Sequence, residues 1–245
     1  NITNLNVGIE LNKIGLKSSD LEISKNPIYE LVVLNSNINP GKGKNFLKND
    51  FRPNLKLPAF FTNSNFNIVN HIGDPAKFYY GGINFNINSE IQFTRSLIFT
   101  NELSLVLYNN FDEKRNFPDS LAPNVRTEVV NYLQESDDLF FSRMQLDYFF
   151  SPYQETFVKV SSGIFEDMYG GIGLEALYKP FYKNYSIGFE LYGLKKRSYE
   201  RQLKFLDYKV NTGHLNFNYY HSTSGVIAKL SAGHYLAGDR GYTID

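Results

Sequence analysis

Two carboxylates carry the most specific candidate chemistry in this sequence. Glu175 and Glu190 fall on neighbouring predicted strands, at positions that place both side chains on one face. Paired carboxylates at a suitable separation can hydrolyse glycosidic bonds, with one acting as the acid. Alternatively, both carboxylates line a hydrated surface or form ion pairs with Lys159 and Lys229. We favour the second interpretation, so no catalytic residue is predicted.

The other residue types that support chemistry do not form a recognisable site. The four histidines are His71, His214, His221 and His234, and no two of them have the spacing of metal ligands. Cysteine is absent, which excludes thiolate catalysis, disulfides and cysteine-type zinc sites. The sequence also lacks the motifs of P-loops, dinucleotide-binding folds, serine hydrolases and zinc proteases. We therefore predict neither a metal site nor a cofactor.

The composition excludes further classes of protein. The 245 residues carry 25 basic and 25 acidic side chains, so no excess of basic charge indicates a nucleic-acid partner. No apolar run approaches the roughly 18 residues of a transmembrane helix. A transmembrane barrel remains compatible with the low hydropathy, because its strands alternate between apolar and polar residues. The aromatic content of 16% fits the aromatic girdles of such a barrel.

Apolar and polar residues alternate with a period of two from about residue 77 onward. Strands in soluble proteins usually have about five or six residues, whereas a tilted membrane-spanning strand needs about 9–11. The segment 125–134 also fits a helix, because Val125, Val129 and Leu133 have helical spacing. The predicted strands are long and form an antiparallel meander over residues 78–93, 97–110, 125–134, 139–150, 155–165, 168–179, 184–197, 205–220 and 224–236.

The alternation gives the predicted sheet two different faces. One face is apolar, with Ile83, Phe85, Ile87, Leu103, Leu105, Leu107, Ile172, Leu174, Ile187, Phe189, Leu191, Leu215, Phe217, Val226 and Leu230. The opposite face carries Asn84, Asn86, Asn88, Ser104, Gln145, Asp147, Glu175, Glu190, Asn216, Asn218, Lys229 and Ser231. A soluble antiparallel sheet with one wet face gives the same alternation. Strand length favours an outer-membrane barrel with a polar lumen.

The first part of the chain differs from the rest. Residues 1–35 are predicted to end a small α/β module, with a helix around 5–14 that ends at Gly15 and short strands at 20–23 and 29–34. Residues 36–76 contain Pro40, Pro53, Pro58 and Pro75 and are predicted to be an irregular linker. Residues 77–245 are the predicted barrel, which is expected to be incomplete. We therefore interpret the chain as a piece of a longer protein.

Several motifs make the sequence similar to a known family. The most specific are GIFEDMYGGIGLEALYKP at 163–180, DYKVNTGH at 207–214 and AKLSAGHYLAGD at 228–239. LAPNVRTE at 121–128, with the stretches 72–75, 108–112 and 196–197, adds to them. With these motifs the chain resembles the YjbH/GfcD family of outer-membrane proteins of exopolysaccharide and capsule systems. It departs from the family pattern at His234, where an arginine is expected, and the family's lipoprotein signal and the remainder of its barrel are absent.

The resemblance implies a non-enzymatic component of an export system for an extracellular polysaccharide. It implies an outer-membrane location with a periplasmic N-terminal part, and contacts with outer-membrane lipid, polysaccharide and other secretion proteins. The family brings no catalytic residues that could be transferred to this chain. The candidate lumen and family-motif residues are Arg126, Glu175, Tyr178, Glu190, Tyr208, His214, Lys229, Tyr235 and Asp239.

Two alternatives remain open from the sequence. One is an outer-membrane enzyme that acts on glycan or lipid with Glu175 and Glu190. The other is a soluble carbohydrate-binding β-sandwich. The sandwich predicts that the apolar face packs against a second sheet, whereas the barrel predicts that it is exposed. The residues that discriminate between them are Ile83, Phe85, Leu105, Phe189 and Phe217.

Overall fold

The computed structural model describes residues 2–6, 9–15, 37–40, 56–72, 77–113, 128–181, 183–221 and 224–245. The first three of these ranges form a small antiparallel sheet of β1 (Ile2–Asn6), β2 (Ile9–Gly15) and β3 (Asn37–Pro40). The helix predicted around residues 5–14 is wrong, because β1 and β2 pair with each other over this region. A short apolar run does not distinguish the two periods. The strands predicted at 20–23 and 29–34 lie outside the described residues.

The remaining strands form one ten-stranded sheet in which every strand is antiparallel to its neighbour in the chain. Most strands have 9–17 residues, and a short final strand ends the sheet. The strands are β4 (Ala59–Ile72), β5 (Tyr79–Gln92), β6 (Leu97–Asn109), β7 (Leu139–Phe150), β8 (Thr156–Ile164), β9 (Tyr169–Tyr178), β10 (Tyr185–Arg197), β11 (Phe205–His221), β12 (Val226–His234) and β13 (Arg240–Ile244). The predicted antiparallel meander is confirmed, and the predicted bounds of β5–β12 agree within two residues.

The sheet differs from the prediction in three places. Ala59–Ile72 is a strand, although residues 36–76 were expected to be irregular, because serine, threonine and asparagine on both faces of β4 hide its alternation. The ambiguous segment 125–134 contains a helix, α1 (Val129–Gln134), preceded by a helical turn at Glu128. The edge strands β4 and β13 do not pair with each other, so the described sheet is not closed. The division of the chain into three domains stays a prediction.

The connections leave the sheet at two ends, and the two longest of them, 110–138 and 198–204, lie at the same end. The turn end carries the short connections 93–96, 151–155, 179–184 and 222–225. The loop end carries 73–78, 110–138, 165–168, 198–204 and 235–239, and α1 lies in the longest of these. Among the described residues, no helix has the length and hydropathy needed to cross a membrane.

The apolar face of the sheet is exposed and the polar face is largely buried. Ile83, Leu105, Phe189 and Phe217 each expose about 40% of their surface, and Phe85 is half-buried beside Phe66 of β4. The opposite face buries a set of polar residues, namely Asn86, Ser104, Gln145, Asp147, Ser161 and Thr212. This arrangement is the reverse of that in a soluble globular domain, where the buried face is apolar.

A small apolar core closes the loop end, and we call it the cap. Its buried members are Tyr132 of α1, Met168, Tyr169 and Val210. The half-buried residues that pack against this core are Leu194, Tyr199, Tyr208 and Leu236. Tyr169, Leu194 and Val210 alternate in phase with the polar-face residues of their strands, so the cap lies over the polar face.

Candidate functional site

A row of three charged side chains and a histidine, which we call the charged row, crosses the middle of the polar face. The residues are direct partners in the sheet register: Lys159 of β8 opposes Glu175 of β9, Glu175 opposes Glu190 of β10, and Glu190 opposes His214 of β11. Partners in an antiparallel sheet place their side chains on the same face, within about 5.5 Å at Cβ. The structure therefore brings together three of the residues that the sequence had singled out, with Lys159 beside them.

Glu175 is engaged from two sides. Lys159 Nζ forms an ion pair with Glu175 Oε1 at 2.7 Å, and the Tyr192 hydroxyl donates a hydrogen bond to the same oxygen. The Tyr192 ring lies directly over Gly173, because a Cβ atom added to this glycine would overlap the ring. Phe165 packs edge-on against Tyr192, with ring centroids 5.5 Å apart. The ion pair proposed from the sequence thus forms with Lys159, and Tyr192 is held in one position.

Glu190 has a different environment from Glu175. Its Oε1 accepts a hydrogen bond from Asn216 Nδ2 at 2.7 Å. No cation among the described residues lies within ion-pair distance of Glu190. Its neighbour Glu175 is a second acid, and like charges directly opposite each other in a sheet are unfavourable. The negative charge of Glu190 is therefore not neutralised within the described part of the chain.

His214 and Tyr235 complete this part of the face. Their rings meet edge to face, with centroids 4.6 Å apart. The Nε2 atom of His214 is buried and has no hydrogen-bond partner among the described residues. The Tyr235 hydroxyl lies 3.1 Å from Thr243 Oγ1, which connects this ring to β13. Tyr192 and Tyr235 therefore present two fixed aromatic rings beside the charged row.

These side chains surround a cavity of about 720 Å³. The polar face forms its floor, and the segment 235–239 forms part of its wall. A neighbouring cavity of about 570 Å³ lies along the same face and shares Lys159, Glu175 and Glu190. The residues that line the larger cavity and matter for its chemistry are Arg143, Lys159, Glu166, Glu175, Glu190, Tyr192, His214, Tyr235 and Asp239. No cluster of three or more metal-ligating side chains occurs in the described ranges.

The other residues singled out from the sequence lie outside the charged row, although Asp239 lines the 720 Å³ cavity and Lys229 lines the neighbouring one. The Tyr208 hydroxyl donates to the Leu236 carbonyl at 2.9 Å and so supports the cap. Asp239 is exposed, and its carbonyl accepts the Tyr235 backbone N–H at 2.9 Å. Tyr178 and Lys229 are exposed on β9 and β12, and Arg126 lies outside the described residues.

Sequence reasoning matched the stretch 196–197 to the family but assigned no role to Arg197, which is heavily hydrogen-bonded. Arg197 is fully buried at the loop end of β10. Its guanidinium donates hydrogen bonds of 2.5–3.3 Å to five backbone carbonyls. Its own carbonyl accepts the hydroxyl of Tyr132 at 2.6 Å. The carbonyls belong to Phe141, Glu166, Asp167, Arg201 and Gln202. Arg197 therefore joins β7, α1 and two loops of the loop end.

A second group of contacts fixes α1 to the sheet. The carboxylate of Glu128, next to α1, pairs with Lys196 Nζ and accepts the Tyr199 hydroxyl at 2.8 Å. Burial raises the pKa of Tyr199, and the hydrogen bond to Glu128 raises it further. Burial likewise raises the pKa of Tyr132, whose ring meets that of Tyr199 at 5.0 Å. The cap is thus a packed and hydrogen-bonded unit.

The fold and site define a class of protein: a meander of long antiparallel strands with an exposed apolar face and a cavity on its polar face. The chain belongs to the YjbH family, whose model, described as exopolysaccharide biosynthesis protein YbjH, matches residues 36–245. The uncharacterized lipoprotein YjbH of Escherichia coli (strain K12) is 35% identical over 182 residues. The match covers 71% of this chain and 26% of that protein, so the chain spans about a quarter of its length. No solved structure shows significant similarity.

Proposed function

We propose that this chain forms part of the wall of an outer-membrane β-barrel that serves exopolysaccharide or capsule biosynthesis and export without catalysis. The exposed apolar face carries the proposal. Lipid offers no hydrogen-bond partners, so a spanning sheet must turn apolar side chains outward and satisfy its polar groups inside. The described sheet has this polarity.

The dimensions of the apolar face support the proposal. On β10 the outward positions from Tyr185 to Gly193 carry no charge, and at about 3.3 Å per residue they span about 26 Å along the strand. A tilt of about 40° reduces this to about 20 Å, close to the roughly 25 Å of a barrel's apolar band. Tyr185 pairs with Tyr219 at one border, and Lys195 pairs with Lys209 at the other. Aromatic and charged residues at these borders fit the two interfaces of a membrane.

The alternative of a soluble β-sandwich is less well supported. It requires the apolar face to be covered, but Ile83, Leu105, Phe189 and Phe217 are exposed. Phe85 is half-buried, and the ring beside it belongs to Phe66 of the same sheet. A single sheet with a buried polar face fits a wet lumen better than a sandwich core.

The connections suggest an orientation, which is part of the proposal. Outer-membrane barrels have short periplasmic turns and longer extracellular loops. The turn end would therefore face the periplasm, and β4 also begins at this end, so the preceding small sheet would be periplasmic. The lipoprotein name of the Escherichia coli relative supports a location in the cell envelope.

The proposed partners follow from the family and from the open sheet. The family's description supports polysaccharide and other secretion proteins as partners, and the exposed face supports outer-membrane lipid. In the described part of the chain the outer edges of β4 and β13 are unpaired, and such edges require neighbours within a bilayer. We propose that further strands of a longer chain supply them. The relative is about four times as long as its matched region, which leaves room for such strands.

Fractionation of cells that express the full-length protein tests the proposal. The protein should sediment with the outer membrane and migrate differently on gels before and after heating. Phe189→Lys places a charge in the apolar band, which costs about 2–4 kcal/mol near the membrane midplane, and should reduce the heat-modifiable fraction. Asn218→Lys adds the same charge on the polar face and is the matched control. Recovery of the protein in the soluble fraction, or equal effects of both substitutions, would contradict the proposal.

An outer-membrane enzyme that acts on glycan or lipid is the second candidate, favoured by the direct pairing of Glu175 with Glu190. Against it, both carboxylates already accept hydrogen bonds from neighbouring side chains. Replacing both by glutamine discriminates between the two functions. The enzyme predicts loss of polymer processing with an intact heat shift, whereas the non-enzymatic barrel predicts that processing continues.

A further inference from the structure

The 720 Å³ cavity is closed at one end by the cap. Tyr169, Leu194 and Leu236 belong to the cap, and they also line the cavity. The cavity therefore has a polar floor and an apolar end wall. Its volume lies within the roughly 300–1,000 Å³ that is typical of binding sites for small molecules.

The aromatic rings of the cavity are held in position before any ligand arrives. Tyr192 is fixed by Gly173 beneath it and by its hydrogen bond to Glu175. Tyr235 is fixed by Thr243 and by the ring of His214. The face of an aromatic ring is electron-rich, so it attracts the weakly positive C–H groups of a sugar ring. Rings that are already ordered also lower the entropic cost of binding.

The charges of the cavity are unbalanced. Its lining holds two cations, Arg143 and Lys159, against four acids, namely Glu166, Glu175, Glu190 and Asp239. With histidine neutral, the difference of two minus four gives a net charge of −2. Among the described residues, Glu190 has no cationic partner, and the hydrogen bond it accepts comes from the neutral amide of Asn216. A ligand with an ammonium group gains from this field, and a carboxylate ligand is repelled.

We propose that this cavity binds a pyranose unit that carries a free amino group, as part of the polysaccharide that the barrel serves. The sugar ring packs on Tyr192 and Tyr235, its hydroxyl groups donate to carboxylate oxygens, and its ammonium group pairs with Glu190. Carboxylates only accept hydrogen bonds, so they suit a ligand rich in donors. This inference rests on the proposed function, because that function supplies the polysaccharide.

Titration calorimetry on the full-length protein in detergent tests the site. The probes are oligomers of equal length of glucosamine, of N-acetylglucosamine and of galacturonate. The glucosamine oligomer should bind most tightly, because it alone carries an ammonium group. Glu190→Gln should weaken its binding about tenfold, the effect of losing one charge-assisted hydrogen bond. The same substitution should leave binding of the acetylated oligomer nearly unchanged.

Two further variants separate a specific effect from a general loss of charge. Glu102→Gln is the matched control, because Glu102 lies on the same face and also accepts a hydrogen bond from an asparagine amide, that of Asn86 at 3.0 Å. This residue does not line the 720 Å³ cavity, so its substitution should not change binding. Tyr235→Leu removes a stacking surface and should weaken binding of both the glucosamine and the acetylated oligomers.

The outcomes distinguish this inference from the proposed function. Equal or tighter binding of galacturonate, equal effects of the two glutamine substitutions, or no binding of any oligomer would each overturn the amino-sugar site. Outer-membrane fractionation and the heat shift do not depend on the site. If they persist without sugar binding, the barrel stands and only this inference fails. If they are absent, the proposed function fails first.

Discussion

Replacing Arg197 by methionine should loosen the whole loop end. The side chain is fully buried and donates to the carbonyls of Phe141, Glu166, Asp167, Arg201 and Gln202. These acceptors lie on β7 and on the loops 165–168 and 198–204. Methionine fills a similar volume but donates no hydrogen bond, so the carbonyls lose their common donor.

The magnitude follows from the bonds that are lost. A hydrogen bond from a charged donor contributes about 1.5–3 kcal/mol net. The five bonds share one guanidinium and one desolvation cost, so their contributions do not simply add. We expect Arg197→Met to lower the free energy of unfolding by about 3–5 kcal/mol, because several carbonyls lose their donor and each buried polar group left unsatisfied costs about 1–3 kcal/mol. Arg197→Lys keeps the positive charge but loses the planar guanidinium, and should lower the free energy of unfolding by about 2 kcal/mol or more.

Urea unfolding followed by far-ultraviolet circular dichroism measures these changes, with linear extrapolation to water. Trypsin cleavage in the loop 198–204 reports local opening of the cap if the rest of the sheet stays folded. Lys209→Met is the control, because Lys209 is an exposed cation near the same end and should change stability by less than about 0.5 kcal/mol. If Arg197→Met matches this control in both assays, the role given to Arg197 is wrong.

Two more predictions concern the cavity and the cap. Gly173→Ala should displace the Tyr192 ring, because the added Cβ atom overlaps it. Gly193→Ala is the control, because a Cβ atom there has room. Aromatic resonances in NMR spectra should shift strongly only in the Gly173→Ala variant. The raised pKa of Tyr199 means that its stabilising effect is fully present below about pH 10 and is lost as the pH rises through the folded-state value. Alkaline unfolding should therefore depend less steeply on pH in Tyr199→Phe, which cannot ionise beside Glu128; an unchanged pH dependence would contradict this assignment.

The period-two alternation was sufficient to predict most of the large sheet. Segments such as Ile83 to Asn88 and Leu215 to Tyr219 alternate strictly, because every second side chain of a strand shares one environment. Where polar residues occupy both faces, as in β4, the alternation disappears and the strand was missed. Where the apolar run is short, as in β2, helical and strand spacing coincide, and the prediction was wrong.

The candidate site was only partly predictable. The sequence placed Glu175 and Glu190 on one face of adjacent strands, but the register that makes them direct partners depends on where the connection between their strands begins and ends. Tyr192 was missed because it occupies an ordinary polar-face position in the period-two alternation of its strand. Arg197 lies in the family stretch 196–197, but its role was missed because its guanidinium donates to a backbone carbonyl 56 residues away, a contact that no local pattern predicts.

The sequence by itself determined the family, the long strands and the two chemically different faces of the sheet, because motifs and alternation are local properties of the chain. Only the tertiary structure decided which face is covered. In the folded chain the apolar residues are exposed. Hydrogen bonds between segments distant in the sequence hold the cap over the polar face. Among the described residues the tertiary structure also left Glu190 without a paired cation beside Glu175, a property that depends on the arrangement of four strands.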